Sequence, residues 1–383
     1  MKALGAIGLS ALCGLAWGQD MAGLVGTAIL IPILWHLAQS RRVASAGVVA
    51  FYLVTARGIP HGAGIFFAES APAWTCWGMW IAASMVNAVP WLVLWNQNPR
   101  RRLVGMPLAL LTTAIPPFGI VGWTNPLLAA GVFFPGTGYA GLMLLLGLIL
   151  ALSSRSAWAT AAMLTVSAMT NLAPASASSA GIDWKGIDTE FAGDNSFAAL
   201  YSRMMALQQM ADKAQPGSVI VLGESFLGDY SPSTHTVLAR ISNQLKQKNS
   251  TILAGAQRPS SMFGDYQVEN ILLAIGSDEG QAIIQRMPVP IGMWRPWSAN
   301  GFKAHWFGSG TVKIHGRIVA GLICYEELLV WPVLLSMQHS PSILVGSAND
   351  WWARDTSIPA IQRQSLTIWG KLFALPTISA TNI

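Results

Sequence analysis

The chain has 383 residues, of which 52% are hydrophobic and 10% charged, with mean hydropathy +0.45. An ordinary soluble domain carries roughly 25% charged residues, so disorder is excluded and a typical cytosolic enzyme is disfavoured. The net charge of +6 does not signal a nucleic-acid binder, because residues 1–182 hold 8 Lys/Arg and 2 Asp/Glu while residues 183–383 hold 15 of each. The excess lies in the apolar half, and the balanced half offers phosphate no net field. Cys13, Cys76 and Cys324 are far apart, with no CxxC or Cys/His cluster. No disulfide framework, metal or other cofactor is expected.

Apolar stretches run at about 3–17, 21–38, 43–56, 74–95, 103–123, 126–152 and 156–171. Most approach the ~20 residues needed to span a hydrocarbon layer of about 30 Å, which predicts a membrane domain of seven helices over residues 1–172. The first stretch also fits a cleaved signal peptide, with Lys2 before it and Ala16-Trp17-Gly18 closing it. Cytoplasmic loops concentrate Lys and Arg, so Lys2, Arg41, Arg42, Arg100, Arg101, Arg102 and Arg155 put the N-terminus inside, leaving Arg57, Asp20 and Glu69 outside. The spans from residue 74 onward contain no ionisable residue, which favours an anchor over a transporter. A small-residue linker at 173–182 then leads to a domain expected in the periplasm of a bacterial inner membrane.

From 183 onward short β runs alternate with helical ones, the pattern of an α/β layer. Strands are expected at 218–223, 251–256, 269–275, 281–287, 311–315, 317–323, 342–347 and 376–380, with helices at 194–214, 327–338 and 359–373. Chemistry in α/β proteins gathers at the C-terminal ends of strands, and three segments stand there. Glu224 follows Val-Ile-Val-Leu-Gly, where a desolvated carboxylate is suited to act as a base; a helix cap is the plainer explanation. Cys324 follows Gly-Leu-Ile at a strand-to-helix turn, where backbone N–H groups and the helix dipole can activate a thiol; the plainer reading is a core cysteine. Asn349-Asp350-Trp351-Trp352 closes the strand at 342–347 and reads equally as a turn followed by a core aromatic pair.

In this order, Gly223-Glu224-Ser225, Pro288-Val289-Pro290-Ile291-Gly292, Ile323-Cys324-Tyr325-Glu326, Ala348-Asn349-Asp350-Trp351-Trp352 and Ala380-Thr381-Asn382 resemble the nitrilase (carbon–nitrogen hydrolase) superfamily. Behind a polytopic anchor, the arrangement is similar to the apolipoprotein N-acyltransferase branch, and most of all to conjugal-transfer TraB-type membrane proteins. The resemblance implies an αββα sandwich, abbreviated at its C-terminus, in which Glu224 is the base, Cys324 the nucleophile and Glu326 a supporting carboxylate. It also implies a lysine five residues before Pro290, where this chain has Gln285, and a glutamate where it has Met293. Arg286 is adjacent, but neighbouring strand residues face opposite sides, so it could replace the lysine only through a bulge.

Two functions are therefore expected to compete. One is a periplasm-facing thiol acyltransferase or amidase that takes its acyl group from membrane lipid. The other is a non-catalytic scaffold serving a conjugation apparatus or a lipoprotein partner; between them, the resemblance favours a TraB-type membrane protein whose Glu/Cys site, lacking the family lysine, is impaired or altered. Position 285 discriminates, because the enzyme wants a cation there and the scaffold does not.

Overall fold

The computed structural model describes residues 3–68, 72–172, 183–191, 196–260 and 267–383, so Lys2, Glu69 and the linker at 173–182 lie outside the described residues. Two compact units emerge, one of residues 1–177, 328–331 and 353–375 and the other of 178–327, 332–352 and 376–383.

The first unit is helical, but its apolar stretches are broken more often than hydropathy alone reveals. Its helices are α1 (Ala3–Leu15), α2 (Leu30–Leu37), α3 (Arg41–Thr55), α4 (Ile59–Phe67), α5 (Ala73–Leu94), α6 (Pro99–Ala114), α7 (Ala130–Phe133), α8 (Tyr139–Ser153) and α9 (Ala157–Leu172). Helix α4 occupies residues read from sequence as an outer loop, and it continues α3 with a bend of 49°. Helix α6 stops where Ile115 turns extended, as the residue before a proline should, ahead of Pro116-Pro117. Among the described residues one single helix, Trp74–Leu94, is long and apolar enough to cross a membrane, or two spans if the bent pair counts as one. At 1.5 Å per residue the 13 to 16 residues of α1, α3, α6, α8 and α9 reach only about 20–24 Å.

The second unit is two stacked β-sheets. The first sheet has the order β1 (Trp184–Gly186), β2 (Val219–Val221), β3 (Thr251–Pro259), β4 (Gln267–Gly276) and β5 (Ala282–Ile284), with β6 (Gly301–Phe302) added to β4. Its first three strands are parallel and the next two antiparallel. The second sheet has the order β10 (Thr377–Asn382), β9 (Ile343–Asn349), β8 (Arg317–Ile323) and β7 (Thr311–Ile314), parallel except for the β7–β8 hairpin that turns at His315-Gly316.

Alternation along the strands builds two cores. Leu253, Leu272 and Ile283 meet Val319, Ile323 and Val345 between the sheets. Ile252, Ile271 and Leu273 meet Leu207 of α10 (Phe197–Lys213) and Leu238 and Leu245 of α11 (Pro232–Gln247) on the outer face. The sequence reading did not mark α11, although Ser231 accepts from the Thr234 N–H and Pro232 opens the helix, both standard start signals. Strands β1 and β6 also went unread, being only three and two residues long. After Cys324–Leu328, a 3₁₀ turn, comes α12 (Val330–Met337).

Helix α13 (Ile358–Phe373) sits at its expected position but belongs to the helical unit. Lys371 and Leu372 there accept from the N–H groups of Gly136 and Gly138, each at 2.8 Å, and Gln364 accepts from Gly18 N–H at 3.0 Å. The division expected at 173–182 is therefore crossed again by the chain at 353–375.

Candidate active site

Glu224 leaves the end of β2 on the residues Leu222-Gly223, and its backbone N–H reaches the Ala348 carbonyl of β9 at 3.3 Å. The strand beside it must be bare to admit the turn, since a Cβ on Gly255 would stand 2.5 Å from the Glu224 Cα. Cys324 leaves β8 at φ +51, in the left-handed region that non-glycine residues rarely occupy. A strained residue between a strand and a helical turn holds its side chain in one orientation, and such outliers concentrate at functional sites.

The carboxylate of Glu224 and the thiol of Cys324 are hydrogen-bonded to each other, and both are 5% exposed. Burial pushes Glu224 up to about 7, opposed by its bonds to Cys324, the Asn270 side chain and the Asn349 backbone. Burial pushes the Cys324 thiol well above its ordinary range, and the negative charges of Glu224 and Asp350 push it the same way. The base is thus poised near neutrality, while the nucleophile holds its proton tightly.

Gln285 is fully buried. It donates Nε2 to the Ile323 carbonyl at 2.9 Å and accepts from Asn270 Nδ2 at 3.1 Å. Asn270 also donates to Glu224, so one amide links the base to the lysine position. The sequence reading missed Asn270; its signal was a Glu-Asn pair interrupting the otherwise apolar run of β4. Asn270 Oδ1 is buried without a hydrogen-bond partner among the described residues.

Arg286, just past the end of β5, takes different partners from Gln285 and is fully buried against Glu326. The guanidinium Nε meets Glu326 Oε1 at 2.9 Å, and Nη1 donates to the Pro332 carbonyl and the Ser336 hydroxyl, each at 2.7 Å. The other Glu326 oxygen accepts from Ile323 N–H at 3.0 Å, which fixes the strand just before the cysteine. Glu326 therefore supports the turn, and Arg286 is spent on it. Met293 is placed by the N–H bond from Met293 to Val289 at 2.9 Å and accepts from Phe302 N–H at 3.0 Å. The Asn349 and Asn382 motifs form a clasp, with Asn382 Nδ2 donating to Asn349 Oδ1 at 2.7 Å and Asp350 N–H to the Asn382 carbonyl at 2.7 Å. Among the described residues no cluster of His, Cys, Asp or Glu could hold a metal ion.

A buried base touching a cysteine at a strained turn is the arrangement of thiol acyl chemistry. Residues 262–371 match the carbon–nitrogen hydrolase family model. Over 97% of its length the chain is 33% identical to the probable conjugal transfer protein TraB of Sinorhizobium fredii, covering 96% of that protein. It is also 34% identical to the conjugal transfer protein TraB of Agrobacterium fabrum, over 98% of this chain and 91% of that one. The chain belongs to the TraB family of conjugal transfer proteins. The residues that match the carbon–nitrogen hydrolase model fall mostly in the second unit, with 328–331 and 353–371 in the first. Among solved structures, a carbon–nitrogen hydrolase from Helicobacter pylori is similar to 52% of this chain and 73% of its own, with 13% identity and a TM-score of 0.37.

Proposed function

We propose that this TraB family member is an inner-membrane protein, its helical unit the anchor and its hydrolase-type domain in the periplasm, that forms a thioester on Cys324 slowly, with membrane phospholipid as acyl donor. The observation that carries the reading is a complete Glu224–Cys324 pair beside a lysine position filled by a neutral, committed amide. Glu224 takes the thiol proton, sulfur bonds to the ester carbonyl carbon, and the leaving alkoxide recovers the proton to depart as a lysophospholipid. Without a cation the oxyanion and the thiolate both rise in energy; removing one oxyanion donor typically costs about 10²–10³ in rate. Such a site suits a low-turnover role at a conjugation apparatus. The anchor is supported by α5 and by the Lys/Arg asymmetry of the loops.

Intact-mass analysis of the purified full chain incubated with phospholipid tests the chemistry. The expected result is a slowly accumulating acyl adduct that hydroxylamine removes and that Cys324→Ala abolishes. No adduct after prolonged incubation, in protein whose melting transition is intact, overturns the catalytic reading in favour of a scaffold.

A further inference from the structure

Four exposed arginines of the helical unit converge at one place. Arg41 Nη2 donates to the Trp95 carbonyl at 2.9 Å, and Arg102 Nη1 donates to the Ala38 carbonyl at 2.7 Å. These reciprocal bonds tie the loop before α3 to the loop before α6, so both helices start within one brace. Arg102 is 9% exposed and lies over the Trp95 ring at 5.2 Å, while Arg41, Arg42, Arg100 and Arg101 remain at the surface.

This placement opposes the ordinary logic of helix ends. The N-terminus of a helix carries the positive end of its dipole and favours acids in the first turn. Here neither α3 nor α6 has one, and both begin with arginines instead: Arg41 and Arg42 in the first, Arg100, Arg101 and Arg102 in the second. Ser40 and Asn98 cap only Val43 N–H and Arg100 N–H. In the first 182 residues Asp20 and Glu69 are the only acids, and neither lies in these loops. Two buried groups at the brace also lack hydrogen-bond partners among the described residues, Arg102 Nε and His36 Nδ1, and His36 is 6% exposed. Two positive dipole ends and five guanidiniums, with two buried nitrogens left unpaired beside them, make a strongly electropositive site that no acid in these loops balances.

We propose that the brace between the starts of α3 and α6 binds the phosphate of an anionic phospholipid at the cytoplasmic face. Basic clusters between helices on that face recruit anionic lipid. The inference rests on the membrane reading above and says nothing of the Cys324 chemistry.

The test is native mass spectrometry of the detergent-solubilised full chain with phosphatidylglycerol, cardiolipin or phosphatidylcholine, with R42Q/R100Q/R101Q and R42K/R100K/R101K for comparison. Arg41 and Arg102 are kept, so the brace stays tied. The native chain and the lysine variant should retain the anionic lipids over phosphatidylcholine, and the glutamine variant should lose them by roughly a hundredfold for three charges. Equal retention of all three lipids by the native chain, or no loss in a folded glutamine variant, overturns the site. Displacement of bound lipid by a short DNA duplex at equal concentration would assign the patch to nucleic acid instead. Carbonate extraction of native membranes separates the two readings: release of the chain refutes the anchor, whereas an integrated chain without lipid preference refutes the site alone.

Discussion

Gln285→Lys puts an ammonium where the buried amide now sits. It can keep the bond to the Ile323 carbonyl, and it offers a donor to Asn270 Oδ1, the acceptor left unpaired in the native chain. It gives up the 3.1 Å bond from Asn270. If the ammonium lay about 5 Å from the thiolate, at an effective dielectric of about 20 its charge would be worth roughly 3 kcal/mol, or about two pK units for Cys324. Thiolate at neutral pH then rises about a hundredfold, but nucleophilicity falls with basicity at a slope of about 0.4–0.5, leaving a net gain of roughly tenfold in alkylation rate. The assay is iodoacetamide labelling of Cys324 across pH in a Cys13→Ala/Cys76→Ala background, with Gln285→Met as the uncharged control. The labelling midpoint should move down in the lysine variant and stay put in the methionine one. An unchanged midpoint in a folded lysine variant would refute the idea that a missing cation holds the thiol protonated.

Glu224 makes stability depend on pH. Its carboxyl titrates at about 7 in the native chain against 4.5 unfolded, so between those values only the native state keeps the proton. Stability must fall as pH rises through that window, by roughly 3 kcal/mol in all. Glu224→Gln should flatten the slope, as read from melting transitions at pH 5 and 8. Glu326→Gln strands a fully buried guanidinium and should cost about 3–5 kcal/mol, whereas Glu326→Leu with Arg286→Met should recover much of it; chemical denaturation of the native chain and the two variants gives the comparison. Gly310→Ala should lower the melting temperature, because φ is +61 and the new Cβ would stand 2.3 Å from the Arg286 guanidinium. Alkaline phosphatase fused near Ser178 should be active and fused near Arg101 silent; the reverse pattern would remove the periplasmic assignment.

What was legible in the sequence follows from what each signal measures. Glu224 and Cys324 stood out because each is a reactive residue just after a buried apolar strand run. Most strand positions were recovered for the same reason, β3 and β4 being largely apolar runs, whereas the short β1 and β6 were not. Hydropathy marks the apolar stretches of the helical unit but not their breaks, which depend on prolines such as Pro116 and Pro117 and on which backbone groups find partners. Helix α13 was placed correctly and attached wrongly, since an amphipathic stretch states that it will be buried and not against what.

The lysine position shows how local packing settles what a motif leaves open. Residues 285 and 286 follow the end of β5 and go to separate partners, Gln285 to Asn270 and the Ile323 carbonyl and Arg286 to Glu326, so the arginine is held away from the lysine position. Alternation on β4 likewise separates neighbours: Asn270 turns to Glu224 and Gln285, while Glu269 turns to Arg258 at 2.9 Å and His305 at 2.8 Å. Arg258 and Arg286 are thus committed to Glu269 and Glu326, and the groups that act on the thiol are the carboxylates of Glu224 and Asp350 and the Asn349 backbone. Yet the substitution at 285 is not fully absorbed, because Asn270 Oδ1 remains a buried acceptor with no donor among the described residues. Leaving such an atom unpaired costs about 1–3 kcal/mol, a penalty that a lysine at 285 would relieve. The orphaned acceptor beside Gln285 is thus one that a cationic side chain at this position would satisfy.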